Sequence, residues 1–228
     1  IKVNPADAAV PPRVEKKQVE AMDVEDIGKF LTAIQGSKYE YPLFVAVFTG
    51  LRQGELLGLT WDCVDFENGL LLINKQHNRV KGDTEFRFAS LKNDKARVLT
   101  AADEVMEVLK LQKERQTAWA ATLGDGWSNP DHLVFTTEFG HYINNKILYQ
   151  NFKRIMRKLG KPDLRFHDLR HTYAVNSLRA GDDIKTVQEN LGHATASFTL
   201  ATYAHATPGM KRESAKRMTE FIRSVQGA

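Results

Sequence analysis

Cysteine is almost absent: Cys63 stands alone in 228 residues, so no disulfide can close within the chain and no cysteine-rich metal cluster can form. Apolar runs are short as well. None approaches the ~18–20 residues a membrane-spanning helix needs, and no secretory signal opens the chain. A glycine-rich phosphate loop of the Walker type is missing, which argues against a bound nucleotide cofactor. Nor does a compact set of carboxylates suggest a two-metal nuclease. These absences predict a cytoplasmic protein, off the membrane, with no metal and no cofactor. There is no internal repeat and no low-complexity tract.

What is present is ordinary in bulk and uneven in placement. Hydrophobic residues make up 42% and charged residues 26%, as in a soluble globular protein able to bury a core. The net charge is +4 and the pI about 9.1, too modest alone to indicate a polyanionic partner. Between Lys146 and Arg170, however, lie Lys146, Lys153, Arg154, Arg157, Lys158, Lys161, Arg165 and Arg170, against only Asp163 and Asp168. A surplus of this kind is an electrostatic footprint for phosphate, although a solvated helix face has the same composition.

Hydropathy periodicity predicts a mainly α protein with one small antiparallel β-sheet. Residues 1–20, with Pro5, Pro11 and Pro12, read as a linker or extended arm. Because the chain opens at Ile1, it reads as a fragment or processed product. A first helix capped by Asp23 or Asp26 carries Ile27, Phe30, Leu31 and Ile34 on one face. Further helices are expected at Tyr41–Thr49, stopping at Gly50, and at Gln53–Leu59. Asn68-Gly69 marks a turn before a strand at Leu70–Ile73, and strands Glu85–Ala89 and Ala96–Leu99 flank a polar turn at Lys92–Lys95. Helical spacing resumes at Ala101. Ile143–Leu159 is a basic amphipathic helix with Ile147, Leu148, Phe152, Ile155, Met156 and Leu159 inward. His167–Arg179, Ile184–Leu191 and Lys211–Val225 complete the helices. The unit 21–207 is taken as one domain, and 208–228 as a terminal helix that packs on its own domain or on a neighbouring protomer.

Several short motifs can carry chemistry. In RFHDLRH, His167 and Arg170 stand three apart and share a helix face, so a guanidinium lies beside an imidazole; His171 points elsewhere and supports the helix. In TGLRQGE, Arg52 opens a helix after a glycine break, where backbone donors favour an anion, and Glu55 can orient a nearby cation. An exposed Arg–Glu pair at this spacing has the same letters and little energy. Tyr203 in TYAH follows a polar stretch rather than an apolar one, unlike Tyr173, which sits inside a helix among apolar neighbours. A tyrosyl oxygen near two arginines can attack phosphorus and hold it covalently.

Taken in order, Arg52, Lys92 in LKNDKAR, His167 and Arg170 in HDLRH, His193 in LGH, and Tyr203 in TYAH resemble the tyrosine site-specific recombinase, or phage integrase, family. The likeness runs from about Asp23 to His205, and the wording GLTWDCVDF and NPADAAVPPR is most similar to integrases of conjugative transposons. The resemblance implies a tyrosine recombinase catalytic-domain fold acting on double-stranded DNA through a 3′-phosphotyrosine. It implies that Arg52 and Arg170 bind the scissile phosphate and that His193 donates to a nonbridging oxygen. His167 would be the general base, Tyr203 the nucleophile, and Lys92 the acid for the 5′-oxygen, with Lys95 in the same turn an open alternative. Glu55 and His171 stand behind these. Lys95, Lys146, Lys153, Arg154 and Arg157 are DNA-contact candidates. The family pattern further implies that residues 1–20 are the arm from an N-terminal DNA-binding domain, and it implies a tetramer on DNA, an excision directionality factor as a candidate partner, and a bacterial, nucleoid-associated setting. A type IB topoisomerase, a non-catalytic DNA-binding regulator on the same fold, and a helical domain whose basic face only binds nucleic acid remain alternatives.

Overall fold

The computed structural model describes residues 21–79, 86–91, 96–192 and 208–226. Asp23 caps α1 (Val24–Ile34), its carboxylate accepting from the Asp26 N–H at 2.8 Å, and the helix buries Phe30 and Ile34. α2 (Glu40–Thr49) is apolar nearly all round and buries Leu43, Val45, Ala46 and Val47, as a central helix does. It ends at Gly50 in the left-handed conformation, φ +64°. A Cβ there would lie 2.7 Å from Leu191 Cδ2 and 2.8 Å from Tyr173 Cδ1. Both the turn and the close approach of α2 to its neighbours therefore require glycine. α3 (Gln53–Leu57) is a short helix that stops two residues before the predicted end.

The strands depart from expectation. β1 (Val64–Asp65), β2 (Leu70–Ile73) and β5 (Arg97–Thr100) form one antiparallel sheet in the order β1-β2-β5, while β3 (Lys75–Arg79) and β4 (Phe86–Ser90) form a separate pair. In register, Ile73 faces Arg97 and Lys75 faces Ser90. The strands on either side of residues 92–95, β4 and β5, thus pair with other strands and not with each other. The predicted single sheet becomes two because β3, with sequence KQHNR, carries no apolar alternation to betray it.

α4 (Asp103–Leu123) follows. Its buried Gln112 and Gln116 donate to the carbonyls of Leu133 and Val134, tying down the irregular segment beyond the helix. α5 (Asn145–Lys158) is capped by Asn144, which accepts from Lys146 N at 2.9 Å, and buries Leu148, Phe152 and Met156. Ile147, expected inward, is 46% exposed. It precedes Leu148 by one residue, a rotation of about 100° that carries it off the buried stripe. α6 (Asp168–Ala180), α7 (Ile184–Leu191) and α8 (Pro208–Gln226) complete the described elements.

One large hydrophobic core runs from Met22 to Leu169, and a smaller cluster holds Ala174, Leu178, Val187 and Leu191 of α6 and α7. Helix α6 begins in the first and ends in the second. Among the described residues, no helix is long and apolar enough to cross a membrane.

Candidate active site

Glu55 is the centre of the arrangement. Its side chain is fully buried, and its two oxygens accept from two arginines. Oε1 takes Arg52 Nη1 at 2.8 Å and Arg97 Nη1 at 3.1 Å; Oε2 takes the Arg52 backbone N–H at 3.0 Å and Arg97 Nη2 at 2.7 Å. Burial alone would raise its pKa, but the Arg97 bonds and charge, then those of Arg52, outweigh it and lower the value to about 2. This is not the weak surface pair that the i,i+3 spacing also allowed. It also means that the Arg52 backbone donor at the start of α3 is spent on Glu55 rather than offered to an anion. Arg52 itself keeps its side chain 31% exposed.

Arg170 comes from the first turn of α6 and is only 1% exposed. Its Nη1 donates to the Gly50 carbonyl at 3.0 Å, two residues before Arg52, and its Nη2 to the Leu191 carbonyl at the end of α7. His167 occupies the N-cap position of the same helix and is exposed. Crowding of its imidazole by protein, followed by the charges of Arg170 and Arg52, lowers its pKa. With Arg170 anchored on the Gly50 carbonyl and His167 at the start of the same helix, the charges of both arginines reach this ring. A neutral imidazole there is free to accept a proton at neutral pH.

His171 lies one turn on, its ring 5.1 Å from that of His167 and nearly perpendicular to it. It is buried, with Nε2 3.9 Å from Asp168 Oδ1, and burial followed by the proximity of His167 lowers its pKa to about 4. Asp168 is in turn held by Arg165, whose backbone N–H donates at 2.7 Å and whose guanidinium donates at 2.8 and 3.1 Å. Beside His167 a groove of about 310 Å³ is lined by Gln53, Tyr149, Arg165 and Phe166.

The DNA-contact candidates separate. Lys146, Arg154 and Arg157 are exposed on α5, with Arg154 donating to Asn151. The Lys153 ammonium instead holds the carbonyls of Pro162 and, at 3.1 Å, Leu164. Lys92, Lys95, His193 and Tyr203 lie outside the described residues. Arg97 is not among the sequence's candidate site residues, although it ends the LKNDKAR segment and opens β5, which is the signal that could have found it. Among the described residues, no group of three or more His, Cys, Asp or Glu side chains could hold a metal ion.

A helical domain with short antiparallel strands, in which a histidine and a buried arginine open one helix and a second arginine is fixed by a buried carboxylate, fits the catalytic-domain class of the tyrosine recombinases. Residues 17–210 match the Phage integrase family, and the chain belongs to that family. It is 32% identical over 216 residues to a XerC-like tyrosine recombinase of Caldanaerobacter subterraneus subsp. tengcongensis, covering 90% of this chain and 55% of that protein. With the ICEBs1 integrase of Bacillus subtilis it shares 25% identity over 225 residues, covering 97% of this chain and 60% of the relative. The chain therefore spans little more than half the length of these relatives. Its fold matches that of the Tn1549 transposon integrase, solved in complex with a circular intermediate DNA, with a TM-score of 0.72 and 24% identity over 90% of this chain and 67% of that one.

Proposed function

We propose that the chain is the strand-cutting and strand-joining part of a site-specific recombinase that moves a mobile element in bacterial DNA. The observation that carries this reading is that Arg170 is anchored on the Gly50 carbonyl two residues before Arg52, with His167 at the start of the helix that carries Arg170 and Glu55 fixing Arg52. Two fixed cations facing a phosphorane stabilise the charge that develops in the transition state, with no reorganisation at the moment of reaction. In the proposed step the Tyr203 hydroxyl gives its proton to His167 and its oxygen attacks phosphorus. The bond to the 5′-oxygen breaks, and Lys92, or Lys95 from the same turn, protonates the leaving oxygen. His193 donates to a nonbridging oxygen. Attack by the 5′-hydroxyl of a partner strand reverses the sequence and restores the tyrosine, so no external energy source is needed.

The exposed face of α5, with Lys146, Arg154 and Arg157, is suited to phosphates or base edges in a DNA groove. Residues 1–20 would connect to an N-terminal DNA-binding domain, and the unit 21–207 would do the chemistry. Helix α8 exposes Met218, Ile222 and Val225, which fits docking on a neighbouring protomer in a tetramer on DNA. An excision directionality factor would bias such an assembly. The working place is the nucleoid, in the cytoplasm.

A pool of nicked suicide duplexes of random sequence provides the test, since no target sequence then has to be assumed. The chain is incubated with the pool, and adducts that survive denaturation are isolated and sequenced. An adduct formed by the parent and absent from Tyr203→Phe is expected. Equal adduct in both would overturn the assignment of the nucleophile, and DNA binding without adduct would favour a non-catalytic regulator.

A further inference from the structure

On the recombinase reading above, we infer that Arg97 is a positioning residue that holds Arg52 and the end of α7 in register through Glu55 and the Asn190 carbonyl. Its side chain is 7% exposed, and three of its nitrogens are engaged in the interior. Nη1 and Nη2 grip Glu55 from one side, at 3.1 and 2.7 Å; Nε donates to the Asn190 carbonyl at 2.8 Å from the other. Gly192 closes on the same side chain, since a Cβ there would meet Arg97 Cδ at 2.9 Å and Nη1 at 3.0 Å. A planar, always-charged guanidinium can make the bidentate bond and the carbonyl bond at once; a lysine ammonium cannot.

Each end of this bridge matters to the proposed chemistry. At one end, Glu55 takes both the backbone and the side chain of Arg52, so whatever fixes the carboxylate fixes that arginine. At the other, Asn190 and Gly192 close α7 immediately before His193 in the chain. Arg170 holds the adjacent carbonyl, that of Leu191, so two guanidiniums sit at the negative pole of the helix. Arg97 also follows Lys95 by two residues in the chain. Arg97 thereby ties together parts of the chain that are distant in sequence and adjacent in the reaction.

A purely structural arginine would change stability and lower the rate equally at every pH. A positioning arginine does more. Without it the buried Glu55 carboxylate loses its principal partner, takes up a proton more readily, and releases Arg52 when it does. The experiment is single-turnover adduct formation on a nicked duplex recovered from the random pool, followed between pH 5 and 8, for the parent, Arg97→Lys, Gly192→Ala, and the double variant Arg97→Gln/Glu55→Gln. Arg97→Lys is expected to slow cleavage about 10- to 100-fold near neutral pH, with DNA affinity within about threefold and the acid limb of the profile displaced to higher pH. Gly192→Ala, which crowds Arg97 without removing its charge, should displace the limb in the same direction even where Arg97→Lys folds poorly. Removing the carboxylate as well should abolish the displacement. Cleavage by Arg97→Lys within about twofold of the parent, or a loss independent of pH in both single variants, would overturn the inference while leaving the recombinase reading intact. A parent that makes no Tyr203 adduct would instead overturn that reading, and the role of Arg97 with it.

Discussion

Single ionisable groups in this protein are set far from their ordinary values, and the direction of each shift fixes what acid does. His171 takes its proton near pH 4 in the folded chain but near 6.5 when unfolded, because burial disfavours the cation. The unfolded state therefore binds more protons between these values. The stability tied to a neutral His171 is complete above pH 6.5 and is lost as the pH falls toward 4. Glu55 adds a second, more acidic loss, present above the unfolded value near 4.5 and gone as the pH falls to about 2. In urea unfolding, the parent should lose more stability between pH 7 and pH 5 than His171→Gln, by about 2 kcal/mol. Equal losses would mean that His171 is not held neutral. Gly50 offers a second test at this scale. Gly50→Ala combines a left-handed backbone with contacts of 2.7 and 2.8 Å to Leu191 and Tyr173, so a destabilisation of about 2–4 kcal/mol is expected in thermal or denaturant melts. The same change should weaken adduct formation, since the Gly50 carbonyl holds Arg170.

At the scale of elements, α5 shows how far helical periodicity reaches. The amphipathic pattern placed the helix and most of its buried face, because Leu148, Phe152 and Met156 recur at the spacing a packed stripe requires. It could not distinguish basic residues by what they touch. Lys153 is spent on the carbonyls of Pro162 and Leu164, whereas Arg157 is exposed. Arg157→Ala should therefore lower the slope of log affinity for duplex DNA against log salt by about 1 and leave stability within about 0.5 kcal/mol. Lys153→Ala should do the reverse, costing about 1 kcal/mol of stability with little change in slope. Fluorescence anisotropy between about 50 and 200 mM salt, beside urea melts, would separate them; equal slopes would remove Arg157 from the DNA face. The same limit explains what else the sequence concealed. β3 is polar throughout and is a strand only because β4 pairs with it. The Glu55–Arg97 contact joins residues 42 apart, beyond any rule of local spacing. By contrast, Arg52, His167 and Arg170 were legible because glycine breaks and helix starts set them where short motifs can be read.

Across the whole molecule, the candidate site lies along the seam between the large core and the smaller cluster of α6 and α7. Hydrophobic burial holds each side together, but much of what crosses the seam is polar: Arg97 to Asn190, and Arg170 to both Gly50 and Leu191. Among the described residues, the smaller cluster buries only Ala174, Leu178, Val187 and Leu191, too little apolar surface to stand alone. Its attachment depends on guanidiniums whose partners include a titratable carboxylate. Regions with few buried apolar contacts open locally at lower free energy than the global transition. Native-state hydrogen exchange should therefore show the amides of α7 opening below the free energy that protects α2, whose residues sit in the large core. Arg97→Gln should widen that gap, lowering protection in α7 while leaving α2 protection limited by global unfolding. If α7 and α2 instead exchange together in the parent, the two clusters form one cooperative unit, and the arginines along the seam do not govern the motion of the segment that leads to His193.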